Sequence, residues 1–406
     1  MPVISRGVPA FASSAQSAST ASGGDSSDYN AYWQSSKQPI SSGSPAWLAY
    51  DLSTVPTCQR GKVLVSWYQP VAYDAFDPYD FTISTSYVDA VDSTGNGQYG
   101  LPMNYTLEGN AAAGGGSAAP TSGWVALLPS AVSNNVYHGR AHLVDLTGYS
   151  WLRMTVTAVT DSASKPATPV SATNQDVAIK LDVQDASLGV ADSWLFLGDS
   201  ITSHCMSDDD GGNGNANKSF PELVHAALPA FFPAAINGGM GGSKTTTNPS
   251  PQVTGDAINS IDLWLALFPG KFVGLSWGTN DCGGNSWGID PSIAAYKTLV
   301  NKVIAAGKVP VVPHVPWAPS SSISGATTTS SGAPYAPLSP GEAYNAQIDS
   351  QIYTIANVVR GPDLWAVFKD QTSLFIDSMN VHPNDDGIAV YRQAWATTML
   401  ATVYPH

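Results

Sequence analysis

The 406-residue sequence predicts an all-β sandwich or jelly-roll domain followed by an α/β domain built on a parallel sheet. Three observations predict it. The length suffices for two domains of ordinary size. Over residues 29–187, short β-rich runs recur between turns rich in Gly, Pro, Asn and Asp, and several alternate apolar with polar side chains. From residue 192 to 406 the pattern changes to strands separated by helices, the signature of a parallel sheet covered on both faces.

Residues 1–28 are predicted to be a disordered segment, because 11–28 is a Ser/Ala/Gly-rich tract with little to bury. The β runs then follow at 47–50, 62–68, 81–84, 124–128, 136–137, 151–156 and 177–183. About seven such strands are enough for a sandwich or jelly roll. The Gly/Ala/Ser tract at 110–123 reads as a long surface loop. Arg140 and His142 lie in a polar–apolar strand pattern and can face either way.

In the second half, residues 194–198 form an apolar run that stops at Gly198. A helical segment starts at Phe220, and a strand is expected over 271–277. Asp290 and Pro291 then give an N-cap followed by proline at the first helical position. The stripe Ile293, Tyr296, Leu299, Val300, Val303, Ile304 continues that helix until Gly307, and 308–314 is the next strand. The segment 317–340, rich in Ser, Thr, Gly and Pro, is long for a loop and is expected to form a lid or pocket rim.

Composition limits the function classes. Charged residues are only 12% of the chain, and 17 basic against 31 acidic residues give a formal net charge of −14. That balance opposes nucleic acid and anionic membranes and favours a neutral substrate. No run of about 18 apolar residues exists, so no membrane insertion is expected. The weakly charged composition suits a secreted or periplasmic protein, although residues 1–7 lack the apolar core of a signal peptide. Cys58, Cys205 and Cys282 form no dense disulfide scaffold, but Cys205 and Cys282 flank candidate site residues closely enough to bridge if those residues meet. The run 208–215 is dense in oxygen ligands without the spacing of a calcium loop, and no His/Cys/acid cluster has zinc spacing. No metal or cofactor is expected.

Four short segments carry chemistry. Gly198-Asp199-Ser200 ends a buried strand at the mouth of a helix, where a serine is exposed near backbone N–H groups that can stabilise an anion. An ordinary capping serine would look the same. In Asn237-Gly238-Gly239-Met240-Gly241-Gly242, glycine lets a backbone N–H approach a ligand, though a flexible turn needs glycine equally. Gly278-Thr279-Asn280-Asp281 places a side-chain amide donor at a strand tip, or forms an Asn/Asp turn. His382-Pro383 supplies a candidate general base. His204, soon after Ser200, is a candidate pocket residue.

In this order the four blocks resemble the SGNH hydrolase (GDSL-type lipase/esterase) superfamily over 192–406. The resemblance implies a flavodoxin-like three-layer α/β/α domain, with Ser200 as nucleophile and His382 as base. It also implies that the Ser200 N–H, the Gly239 N–H and the Asn280 side chain donate to the oxyanion. One departure stands out. The family's aspartate three residues before the histidine is Met379 here, and the nearest acid is Asp377. Either Asp377 orients His382 through a local bulge, the favoured expectation, or a backbone carbonyl does so in a Ser–His dyad. The β half resembles the galactose-binding-like jelly rolls that precede such domains in some carbohydrate esterases, and its tryptophans could stack on glycans. The expected function is therefore a serine esterase removing short acyl groups, acetyl in particular, from carbohydrate. An aryl or lipid-type esterase of the same fold, and a glycan-binding protein with a decayed hydrolase domain, are the alternatives.

Overall fold

The computed structural model describes residues 1–15, 33–36, 38–68, 102–135, 139–159, 175–206, 218–239, 242–246, 257–282, 289–325, 338–377 and 380–404. The runs expected at 81–84 and 136–137, the polar loop 208–215 and residues 326–337 of the expected lid lie outside them. The chain divides into two compact units, Met1–Val190 with Ala230–Ile236, and Ala191–Pro229 with Asn237–His406.

The first unit is a β-sandwich. Its strands are β1 (Ala10–Ala12), β2 (Trp33–Gln34), β3 (Ala46–Asp51), β4 (Lys62–Tyr68), β5 (Pro102–Asn110), β6 (Val125–Ala126), β7 (Gly139–Asp145), β8 (Trp151–Val159) and β9 (Ala178–Asp185). One antiparallel sheet has the order β1-β3-β8-β5-β6 and the other β2-β9-β4-β7. Period-two alternation sends Leu48, Tyr50, Leu107 and Met154 inward against Val63, Val65, Trp67 and Leu181. The Tyr50 hydroxyl crosses the core to donate to the Leu181 carbonyl at 2.7 Å. His142 is half-buried against Tyr105, 2.7 Å from its hydroxyl, and desolvation with the nearby Arg140 charge lowers its pKa to about 3.

The expectation of disorder at the N-terminus is wrong for residues 1–15. β1 pairs with β3, Ile4 and Val8 are buried, and the Ile4 N–H donates to the Val183 carbonyl. The physical reason is that Ile4, Val8 and Phe11 are enough apolar surface to cover sheet edges that would otherwise stay unpaired. Residues 16–28 lie outside the described residues.

The second unit is α/β. Its strands are β10 (Ser193–Gly198), β11 (Ala234–Gly239, whose last three residues fall in this unit), β12 (Phe272–Ser276), β13 (Val309–Val312) and β14 (Val359–Arg360). Its helices are α1 (Ser200–Cys205), α2 (Phe220–Ala227), α3 (Ala257–Leu267), α4 (Thr279–Cys282), α5 (Ile289–Ala305), α6 (Ser321–Ser324), α7 (Pro340–Gln347), α8 (Leu364–Phe368) and α9 (Asp385–Thr402). The sheet order is β11-β10-β12-β13-β14, with β10, β12, β13 and β14 parallel in register. Counted from its own first strand this is 2-1-3-4-5, the doubly wound order whose switch point lies between its first and third strands. Every residue of β10 is buried, as a central parallel strand covered on both faces requires. Trp194 stacks on Phe272 at 4.6 Å, and Phe196 meets Trp395 of α9 edge-on at 5.2 Å. The carboxyl ends of β10 and β12 therefore define the crevice. No helix among the described residues is long and apolar enough to cross a membrane.

Candidate active site

β10 delivers the site's central residue. Asp199 is the N-cap of α1, accepting from the Ile201 N–H at 3.0 Å, so Ser200 becomes the first helical residue. The N–H at that position has no partner inside the helix. At the other end of α1, the buried Arg392 of α9 donates to the Cys205 carbonyl at 2.6 Å, anchoring the helix from beneath. Ser200 is 7% exposed, and its Oγ lies 2.9 Å from His382 Nε2.

His382 arrives from a hairpin just before α9. Phe375 bridges Pro383, the Ile376 N–H donates to the His382 carbonyl, and Asn384 caps α9 by accepting from the Gly387 N–H at 3.0 Å. The imidazole Nδ1 lies 2.9 Å from Asn380 Oδ1, which also accepts from the His382 backbone N–H at 3.0 Å. A backbone N–H can only donate, so the amide atom facing it is the oxygen. Nδ1 must then carry the proton, leaving Nε2 as an acceptor for the Ser200 hydroxyl.

This corrects the expectation for Asp377. Asp377 is exposed, and its Oδ2 accepts from Asn380 Nδ2 at 3.4 Å, one residue removed from the imidazole. The hairpin reverses the chain between 376 and 382, and that reversal turns the residue two before the histidine onto Nδ1. Asn380 escaped sequence reasoning because it is neither an acid nor at the family's spacing. The same contact removes the need for a backbone carbonyl on the ring.

The Gly239 expectation is also corrected. Its N–H donates to Asn237 Oδ1 at 2.9 Å, while Asn237 Nδ2 donates to the Ser203 carbonyl at 2.8 Å. A Cβ on Gly239 would stand 2.2 Å from the Ser203 nitrogen and 2.8 Å from the Thr202 carbonyl carbon. Glycine is required there so that β11 can press on the backbone of α1. Its N–H is already engaged. Gly242, by contrast, has φ +70° and nothing within 4 Å of a Cβ position, so its backbone borders open space.

Asn280 stands in α4, directly after β12, with one Nδ2 hydrogen donating to the Ser243 carbonyl at 3.0 Å. An amide nitrogen has two hydrogens, so the second remains for a ligand. Ser243 went unrecognised in its glycine-rich setting. Its hydroxyl donates to the Gly198 carbonyl at 3.1 Å and accepts from the Trp277 indole at 2.9 Å. One buried serine thus ties together the ends of β10 and β12 and the loop after β11.

Two buried carboxyl groups lie beneath this floor. Burial pushes Asp199 up to about 7 against the opposing Ile201 N–H, with the Asp281 charge adding to the rise. Burial likewise raises Asp281, although the Thr245 hydroxyl donates to it at 2.8 Å. A carboxyl raised in the folded state binds its proton more tightly there than in the unfolded chain. Its contribution to stability is complete at low pH and is lost as pH rises from about 4 towards 7. Asp199→Asn is therefore expected to gain stability over the parent by roughly 2–4 kcal/mol at pH 7.5 relative to pH 4.5, measured by urea unfolding. A constant difference between the two proteins across that range would refute the assignment.

Cys205 and Cys282 are free thiols, as is Cys58. Burial pushes both site-proximal thiols well up, which makes them unreactive packing groups. His204 lies four residues after Ser200 on α1 and so shares its helix face. Among the described residues no group of three or more His, Cys, Asp or Glu side chains is placed to hold a metal ion.

The assembled parts can carry out acyl transfer: a hydroxyl hydrogen-bonded to a neutral imidazole, beside a helix-start N–H and a side-chain amide. The chain is similar to solved structures at low identity. An acetylxylan esterase from Geobacillus stearothermophilus is 16% identical, with 52% of this chain and 94% of that chain covered and a TM-score of 0.35. A Bacillus subtilis protein is 11% identical over 97% of this chain and 88% of that chain, with a TM-score of 0.42. A chitosan-binding module from a Paenibacillus chitosanase/glucanase is 12% identical over 45% of this chain and 98% of that chain, with a TM-score of 0.28. No curated protein matches the chain. Residues 196–390, which run from β10 into α9 and contain every residue of the site, match the model of the GDSL-like Lipase/Acylhydrolase family. Over those residues the α/β unit matches a family of ester-bond hydrolases.

Proposed function

We propose that the protein is a serine esterase that removes short acyl groups, acetyl in particular, from carbohydrate. The observation that carries the esterase reading is the 2.9 Å contact between Ser200 Oγ and His382 Nε2, with the imidazole proton held on Nδ1. Ser200 attacks the ester carbonyl as His382 takes its proton. The oxyanion is met by the Ser200 N–H and the free hydrogen of the Asn280 amide, with the open backbone at Gly242 taking the place first expected for Gly239. His382 then protonates the leaving alcohol, and water resolves the acyl-enzyme by the same path. The net charge of −14 supports a neutral substrate. The choice of carbohydrate rests on the resemblance of the paired domains to carbohydrate esterases, and glycan binding by the β-sandwich belongs to that reading.

The test is covalent. A 4-nitrophenyl alkylphosphonate phosphonylates an activated serine with loss of nitrophenolate, so one phosphonyl group is expected on Ser200, located by peptide mass spectrometry. Absence of labelling at Ser200 would sink the reading and favour a glycan-binding protein without turnover.

A second reading, an aryl or longer-acyl esterase, is favoured by Ile376. Phe375 is buried and bridges Pro383, so Ile376 stands opposite His382 on the other face of the ladder, and it is 55% exposed. An apolar side chain beside the base suits an apolar ester. A nitrophenyl ester series from acetyl to octanoyl, run beside acetylated xylan and mannan, separates the two. Falling kcat/KM with chain length and turnover of an acetylated glycan support the first reading.

A further inference from the structure

We propose that Asn380 is the positioning residue of the general base, and that the carboxylate of Asp377 serves this site from behind the amide. The proposal rests on the esterase reading above and names how its base is held.

The geometry is a chain of four side chains. Ser200 Oγ meets His382 Nε2 at 2.9 Å, Nδ1–H donates to Asn380 Oδ1 at 2.9 Å, and Asn380 Nδ2 donates to Asp377 Oδ2 at 3.4 Å. Asn380 is fixed by more than the ring, because its Oδ1 also accepts the His382 backbone N–H at 3.0 Å. The amide is thereby locked in one rotamer, with its oxygen towards the base and its nitrogen towards the acid. A neutral acceptor selects the Nδ1–H tautomer as well as a carboxylate does. It gives less stabilisation to the imidazolium that forms during attack. Asp377 partly makes this good, since a carboxylate accepting from Nδ2 polarises the amide and makes Oδ1 a stronger acceptor. The proton stays on Nδ1 throughout, and Asp377 takes none.

The experiment combines kinetics with a proton resonance, using the full chain. Asn380→Ala is expected to lower kcat by about 10- to 100-fold with KM within about twofold, the loss typical of one hydrogen bond to a developing charge. Asp377→Ala is expected to lower kcat by only about threefold. Asn380→Asp restores activity above pH 7. It also moves the acid limb of the kcat/KM profile up by about one pH unit, because a carboxylate on Nδ1 favours the imidazolium. The downfield Nδ1–H resonance of His382 should be present in the parent and in Asn380→Asp and absent in Asn380→Ala, a readout independent of turnover. If Asn380→Ala fails to fold, Asp377→Ala and Asn380→Asp still decide the matter. A larger loss for Asp377→Ala than for Asn380→Ala overturns the proposal, as does an unmoved acid limb in Asn380→Asp. If instead Ser200→Ala retains activity, the esterase reading itself has failed and the two failures are distinguishable.

Discussion

Ser200→Ala is expected to reduce kcat for 4-nitrophenyl acetate by about 10⁴- to 10⁶-fold, leaving only the slow catalysis that binding and oxyanion donors provide. The size of the loss follows from the site's economy of parts. The Ser200 hydroxyl is 2.9 Å from His382 Nε2, the atom placed to take its proton during attack. His382→Ala should fall in the same range, and the double variant should lose little more, because nucleophile and base act as a unit. The hydroxyl is not part of the N-cap, which belongs to Asp199, so the thermal midpoint should stay within a few degrees of the parent. Steady-state kinetics with a folded variant, confirmed by circular dichroism, checks this. Residual activity above about one per cent would remove Ser200 from the nucleophile's role.

Asn280→Ala is expected to cost about 10²- to 10³-fold in kcat, the usual effect of losing one oxyanion donor. Its amide works on both sides: one hydrogen holds the Ser243 carbonyl at 3.0 Å and the other is left for the substrate. The loss should therefore appear in kcat, with KM for a small ester little changed, since a donor aimed at the oxyanion matters most in the transition state. A purely structural amide would behave differently, lowering the unfolding midpoint and leaving kcat of the folded fraction intact. Gly239→Ala supplies the contrasting case. Its Cβ would collide with the backbone of α1 at 2.2 Å, so the damage there is to folding.

Much of this was legible in the sequence, for physical reasons that are local. β10 is a continuous apolar run that ends at glycine, and only a central parallel strand is buried on both faces in that way. Ser200, Asn280 and His382 could be found because each sits where an element ends, and turn chemistry marks such places. What was missed depends on contacts that no spacing encodes. Asn380 reaches Nδ1 only because Phe375 pairs with Pro383 and folds the hairpin back. Whether the Gly239 N–H is free is decided by the rotamer of Asn237, not by any glycine pattern. Ser243 looked like loop filler amid glycines, yet it has three partners. β5 is hidden because polar residues such as Asn104 and Glu108 interrupt it on the outward face. The strand at the N-terminus was hidden by the featureless tract that follows it.

The three attachments of Ser243 have a practical consequence for anyone reshaping this enzyme. Segments some 35 to 45 residues apart are pinned through one residue, by its hydroxyl and its carbonyl, so the floor of the crevice resists being altered one piece at a time. A change that widens it at Trp277 also disturbs the register of Gly198 and the aim of Asn280. On the hairpin that carries His382, the side chain of Ile376 is 55% exposed. New acyl or alcohol preferences are better sought by varying Ile376 than by carving the floor. The fold thus divides the crevice into a part that sets the chemistry and a part that can be redrawn.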